Sequence, residues 1–336
     1  MSTLRRARTT DSTLLKNGQP MYYAIHHTTR FRYDRQISES VMEVRMRPRD
    51  DGSQRCLRFD LGVSPRAEVF HYRDHLSNTV HHFDIPRPHT QLALTAHSVV
   101  EMSPAEPLPE ALGPGAWDEL DRLAATGDHA FELLPSRFTE PTPLLRSLAR
   151  ELVCERRRGD PLALLREINS AIHERFDYAP QTTHVDSPID DALRARKGVC
   201  QDYAHIMLAL LREHLGVPCR YVSGYLFHRS EDQDRSASDA THAWVEALLP
   251  RLGWLGFDPT NNLLARERHI RVALGRDYAD VPPTRGVFKG EAATELKVAV
   301  KVEPCDAPPP EDLKLVMETV PPESIDQHQQ QQQQQQ

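Results

Sequence analysis

Gly198-Val199-Cys200-Gln201-Asp202-Tyr203-Ala204-His205, running on into Ile206-Met207-Leu208-Ala209-Leu210-Leu211-Arg212, is the stretch whose reading organises the rest of the chain. The glycine permits a tight turn, and an apolar helical run follows as far as Gly216 and Pro218. Tyr203, Ala204, Met207, Leu208, Leu210, Leu211 and Leu215 cover most of the helix circumference, which predicts a central, buried helix. Cys200 then falls at the helix N-terminus. Unpaired backbone N–H groups and the positive end of the helix dipole favour the thiolate there, and the thiolate is the nucleophilic form.

Working outward, the segments upstream of this helix are helical in pattern and those downstream are strands. Residues 116–125, 143–157 and 161–176 predict helices. In the last of these Leu162, Leu165, Ile168, Ile172 and Phe176 recur at helical spacing, with Asp160 as N-cap and Pro161 at N1. A short helix is expected over 188–195. Downstream, 219–227, 241–249 and 254–258 read as strands, with a polar, acidic loop at 229–239; 270–274 and 296–302 add two more. A helical front half feeding an antiparallel sheet is an α+β arrangement.

Ahead of this region, 21–102 changes to short strands punctuated by turns, as in the strict alternation of Val41-Met42-Glu43-Val44-Arg45-Met46-Arg47, which suggests a β-sandwich. The expected organisation is a disordered leader (1–20), an N-terminal β-sandwich domain (21–103), a proline-containing linker with a short helix (104–142), a catalytic domain (143–303) and a disordered Pro/Gln-rich tail (304–336). The adjacent histidines 26/27 and 81/82 would point to opposite faces of a strand, so they read as strand histidines and not as a metal set.

Composition excludes several functions. The chain has 336 residues and a formal charge of −7, which argues against nucleic acid as a main partner. No stretch approaches the ~20 apolar residues of a membrane span, and the N-terminus lacks the apolar run of a signal peptide. The expectation is a cytoplasmic protein with no membrane partner. The five cysteines (56, 154, 200, 219 and 305) are odd in number and include no C-x-x-C, so neither a disulfide framework nor a zinc site is expected.

Downstream of the cysteine lie the other parts of a nucleophilic site. Thr241-His242-Ala243-Trp244-Val245-Glu246 opens one strand and Gly253-Trp254-Leu255-Gly256-Phe257-Asp258-Pro259-Thr260 closes the next. Strands joined this tightly are antiparallel neighbours, which brings His242 near Asp258. Cys200 would attack a carbonyl, His242 would take and return the proton, and Asp258 would hold the imidazole tautomer and stabilise its cation. The Cys200 backbone N–H would donate to the oxyanion. Parity adds a demand. A four-residue connection with perfect pairing would set His242 opposite residue 261 and turn Asp258 to the other face, so three or five residues, or a bulge, are required.

The runs 198–204, 216–225, 241–246 and 253–260 together resemble the core of the transglutaminase-like superfamily, over about residues 160–262. Residues 21–102 resemble the β-rich N-terminal region of its bacterial members, and Gly275-Arg276-Asp277-Tyr278-Ala279-Asp280-Val281-Pro282-Pro283 is similar to a segment those members carry after the core. The resemblance implies a papain-like α+β fold with Cys200, His242 and Asp258 as its triad, and no metal or other cofactor. It also implies an oxyanion side chain upstream of the cysteine, for which Tyr178 and Gln181 are candidates. Asp202 suits the helix dipole and is expected to point away from the sulfur. The partner is a peptide or protein substrate. A peptidase or amidase leads, with amine transfer to glutamine as the alternative and a non-catalytic peptide-binding module as the rival from another class.

Overall fold

The computed structural model describes residues 19–229 and 231–305. Of the expected leader (1–20), residues 1–18 lie outside the described residues, as do residues 306–336 of the expected tail (304–336), whereas Pro304 and Cys305 end the last strand and are not disordered. Six strands come first: β1 (Met21–Ile37), β2 (Glu39–Val44), β3 (Gln54–Ser64), β4 (Phe70–Arg73), β5 (Thr79–Ile85) and β6 (His89–Met102). The helical region holds α1 (Ala116–Ala125), α2 (Ala130–Leu133), α3 (Pro143–Glu151) and α4 (Pro161–Arg175). The short strand β7 (Asp177–Tyr178), α5 (Ile189–Ala195) and β8 (Lys197–Gly198) then lead into α6 (Cys200–Leu210), whose last turn widens to a π turn over Leu211–Leu215. Seven strands follow: β9 (Cys219–Leu226), β10 (His242–Leu249), β11 (Gly253–Asp258), β12 (Leu263–Ala265), β13 (His269–Gly275), β14 (Thr284–Lys289) and β15 (Thr294–Cys305).

Two four-stranded sheets, ordered β15-β1-β6-β3 and β14-β2-β5-β4, form the N-terminal sandwich. Tyr33 and Ile37 of β1, Met42 and Val44 of β2, Phe83 and Ile85 of β5, and Leu92 and Leu94 of β6 fill the space between them. Alternation along the strands produces this layer, since every second residue faces inward. The same rule separates the paired histidines: His27 and His81 are buried, whereas His26 and His82 are exposed.

The 17 residues of β1 reach beyond the sandwich. On the same face, Tyr23 and Ile25 of β1 and Val100 and Met102 of β6 pack into the helical core. One sheet therefore backs both halves of the molecule.

The core sheet, ordered β12-β11-β10-β9-β13, is antiparallel throughout, and α6 lies against β9 and β10. Every residue of α6 after Cys200 is buried. Its apolar faces are thus enclosed on all sides, as its unbroken hydrophobic circumference predicts. Chain entry is fixed by Asp160, whose Oδ1 caps α4 at Leu162 N (2.9 Å) while Oδ2 accepts from Leu112 N and Gly113 N.

The chain closes on itself. Strand β14 pairs with β2, and β15 pairs with β1 from Tyr22↔Cys305 to Tyr33↔Thr294. Residues 284–303, grouped with the catalytic domain from sequence, complete the two sandwich sheets instead. The alternation of Leu296, Val298, Val300 and Val302 identifies a strand but carries no information about which neighbour it pairs with.

Candidate active site

Cys200 is the first residue of α6, so its N–H has no acceptor within the helix. The turn into it is held by Asp202. The Oδ2 of Asp202 accepts from Val199 N (2.8 Å) and from the Thr183 hydroxyl (2.6 Å), so the carboxylate folds back over the turn. Gly198 is required here. A Cβ at that position would lie 2.5 Å from Asp202 Oδ2.

On the sheet, Leu249 pairs with Gly253 and Val245 with Phe257. The connection is therefore the three residues Pro250-Arg251-Leu252, with Arg251 at φ 66° and Gly253 at φ 68°. Continuing this register sets Asp258 opposite Trp244, on the face that His242 shares. The parity demand is met by loop length alone.

His242 Nε2 lies 2.8 Å from Asp258 Oδ2, and both residues are fully buried. Its other ring nitrogen, Nδ1, has no hydrogen-bond partner of ordinary geometry, and the Cys200 thiol is near enough to act on the ring. Burial opposes the imidazolium. The Asp258 carboxylate, by charge and hydrogen bond, overcomes it with help from the Cys200 sulfur, and the pKa of His242 is pushed up to about 10. Burial likewise opposes ionisation of Asp258, but His242 and His269 hold it well below the ordinary carboxylate value. Cys200 is half-buried and so open to a substrate. By contrast, burial raises the thiols of Cys56, Cys154 and Cys219 to about 11.

Of the oxyanion candidates, Tyr178 lies beside the turn, paired with Gly198 in the β7–β8 ladder. Its hydroxyl accepts from Ala237 N at 3.4 Å, and burial together with the nearby Cys200 raises the phenol to about 12. Gln181 is exposed in the loop after β7, with a left-handed backbone at φ 68°.

Two site residues escape the sequence reading. Asn261 donates from Nδ2 to Asp258 Oδ2 (2.9 Å) and to Ser236 Oγ (3.0 Å), while its Oδ1 accepts from the backbone of Arg235 (2.7 Å) and Ser236 (3.1 Å). It ties the loop after β9 to the carboxylate. His269, at the start of β13, places Nε2 3.1 Å from the same Oδ2. The backbone of Thr260 and Asn261 donates to Oδ1. His242, Asp258 and His269 have the residue types of a metal site, with ligand atoms within 4.8 Å of one another. Each imidazole is already aimed through Nε2 at one carboxylate oxygen, and hydrogen bonding accounts for the cluster.

The comparisons with known proteins agree with this architecture. Residues 23–101 match the bacterial transglutaminase-like N-terminal region, and residues 146–259 match the transglutaminase-like superfamily. The uncharacterized protein Rv2569c of Mycobacterium tuberculosis is 35% identical over 294 residues, covering 84% of this chain and 92% of that one. The uncharacterized protein ML0607 of Mycobacterium leprae is 33% identical, covering 82% and 96%. A protein-glutamine gamma-glutamyltransferase of Pseudomonas aeruginosa is 34% identical over 169 residues, which is 44% of this chain but 23% of that one. Among solved structures, a protein of Cytophaga hutchinsonii, given provisionally as a cysteine protease, superposes with a TM-score of 0.67 at 21% identity, covering 86% of this chain and 92% of that one. The fold is therefore shared well beyond the reach of sequence identity, and the chain belongs to the transglutaminase-like superfamily, with the bacterial type of N-terminal region joined to its core.

Proposed function

We propose that the protein is a thiol-dependent acyl-transfer enzyme acting on peptide or side-chain amide bonds, with Cys200 as nucleophile, His242 as proton carrier and Asp258 as the group that orients it. The observation that carries this reading is the imidazole of His242, bonded through Nε2 to a buried carboxylate, with Nδ1 left without a partner and the Cys200 sulfur near enough to help raise the ring's pKa. In the first step the Cys200 sulfur, its proton already held by the His242 imidazolium, adds to the amide carbon. The oxyanion is met by the Cys200 N–H, with the Tyr178 hydroxyl as its side-chain partner. His242 then protonates the departing amine, the C–N bond breaks, and a thioester remains. Water resolving that thioester gives a peptidase or amidase; an amine resolving it gives a transferase.

Hydrolysis is the leading outcome. Transfer to an amine is the second reading, favoured by the similarity to the Pseudomonas aeruginosa gamma-glutamyltransferase over 169 residues. Alkylation by iodoacetamide at pH 6 tests the common part. Cys200 is expected to react faster than Cys56, Cys154 and Cys219, since burial raises those three thiols to about 11 while Cys200 is half-buried with the His242 imidazole beside it. His242→Ala is expected to remove the advantage. Equal labelling of all the cysteines in the wild type would leave a peptide-binding module as the reading that stands. Incorporation of a labelled amine into a glutaminyl peptide, set against release of ammonia or peptide, then separates transfer from hydrolysis.

A further inference from the structure

We propose that His269 is a positioning residue for the Asp258–His242 pair, donating a fixed, neutral Nε2–H that holds the carboxylate in place throughout the reaction. The inference rests on the acyl-transfer reading, because it assigns a role in the same proton pathway.

The geometry fixes the tautomer. Nδ1 of His269 faces the backbone N–H of Arg266 at 3.4 Å and can only accept there. The ring proton therefore sits on Nε2, 3.1 Å from Asp258 Oδ2. The ring is buried, with the edge of Trp244 at 5.2 Å between centroids and an angle of 74°. Trp244 also lies alongside His242, at 6.0 Å and 29°. Gly224 makes this arrangement possible. A Cβ there would meet the Trp244 ring at 2.6 Å and the Ile270 carbonyl at 2.1 Å, so a side chain at this position would displace the indole that packs against both imidazoles.

The two histidines share one oxygen but differ in charge. Burial keeps His269 neutral, reinforced by the charge on His242, although Asp258 acts in the other direction. His242 is the member that becomes a cation. When it passes its proton to the leaving amine, the buried Asp258 loses its ionic partner, and a buried carboxylate left with fewer donors takes up a proton more readily. The His269 Nε2–H remains at that moment, and so does Asn261. Other ionisable groups around the pair are Cys200 of α6, His228 and Asp234 of the loop after β9, and Arg268 ahead of β13. His173 of α4 faces the neighbouring Thr260 carbonyl.

The test is the pH profile of Cys200 alkylation in the full-length protein, compared among wild type, His269→Phe and His269→Gln. Removing the donor in His269→Phe is expected to move the acid limb up by about one pH unit, and to slow labelling about tenfold at the foot of that limb while leaving the plateau near the wild-type rate. His269→Gln, which keeps an N–H donor, is expected to restore much of the limb. A folded His269→Phe with an unshifted limb overturns the proposal, because a purely structural role lowers thermal stability without moving the profile. Should His269→Phe fail to fold, 15N spectra of histidine-labelled wild type decide. A His269 ring protonated at Nε2 and neutral at pH 7 is expected; protonation at Nδ1, or a charged ring at pH 7, overturns it. Failure of the underlying reading has a separate signature, in that wild-type Cys200 shows no enhanced labelling at all.

Discussion

At the scale of single residues, the chemistry is set by how charge is divided around Asp258. Its carboxylate accepts from two histidines, one asparagine side chain and two backbone N–H groups, and the carboxylate and both imidazoles are buried. A pH dependence of stability follows. His242 is raised from 6.5 to about 10 in the folded chain, so its contribution is full below about pH 6.5 and is lost as the pH rises through about 10. Asp258 is lowered, so its contribution is present above about pH 4 and disappears only as the pH falls through its depressed folded value. Thermal unfolding is expected to show a Tm that declines from pH 6.5 to pH 9.5, with a shallower decline in Asp258→Asn, where the cause of the raised pKa is gone. An identical slope in the two proteins would contradict this assignment. The placement of Cys200, His242 and Asp258 was legible because each stands in a local setting that the sequence displays: a helix start, a strand start and a strand end. Asn261 and His269 were not. Their partner is specified by how β11 and β13 approach in space, and nothing local distinguishes His269 from any histidine preceding a strand.

At the scale of elements, the turn from β8 into α6 concentrates the constraint. Gly198 must lack a side chain so that the Asp202 carboxylate can reach Val199 N and Thr183. Gly198→Ala is expected to push that carboxylate out, lower stability by about 1–2 kcal/mol and slow Cys200 alkylation. Thr183→Ala removes one donor and leaves the turn, so its effect should be the smaller of the two, as denaturant unfolding of both variants would show. Helices α1 and α4 were readable to within a residue from their periodicity, and α4 from its Asp-Pro start. The predicted 143–157 helix ends instead at Glu151, where Val153 adopts φ 54°. One arginine beyond it serves a different helix: Arg157 Nε donates to the Leu215 carbonyl at 2.7 Å, closing the turn that ends the α6 segment. Apolar spacing shows where a helix can continue, but the stop here is made by backbone geometry that no capping residue announces.

At the scale of the whole molecule, the sandwich is part of the structure that holds the site. The free edge of the core sheet, β13, is covered by amide side chains from the sandwich. Gln54 exchanges hydrogen bonds with both the carbonyl (2.9 Å) and the N–H (2.8 Å) of Arg271, and Asn78 does the same with Leu274 at 2.8 Å each way. Each side chain acts as one residue of a missing strand and hides an edge that would otherwise invite pairing with other chains. On the far side, β15 donates from Val300 N to the Asp239 carbonyl, three residues before His242. Gln54→Ala and Asn78→Ala are each expected to cost about 1–3 kcal/mol, the penalty for buried backbone groups left unpaired. The double variant is expected to gain soluble oligomers by size-exclusion chromatography; a monomeric double variant of unchanged stability would refute the role. The two-part α+β layout was evident from the change of periodicity near residue 103. The closure of the chain by β14 and β15 was not, because long-range pairing leaves no mark on the strand that makes it.

The three-residue link between β10 and β11 has a consequence for how such proteins can diverge. Inserting or deleting one amino acid at Pro250-Arg251-Leu252, with pairing otherwise kept, would rotate residue 258 to the opposite surface of the sheet and disconnect it from the imidazole. Functional descendants should therefore change length at this hairpin in steps of two, or acquire a compensating irregularity in one of its arms. Gaps of odd size here, in a chain that still carries the cysteine and both of its partners, would mark a lineage that has abandoned the proposed chemistry.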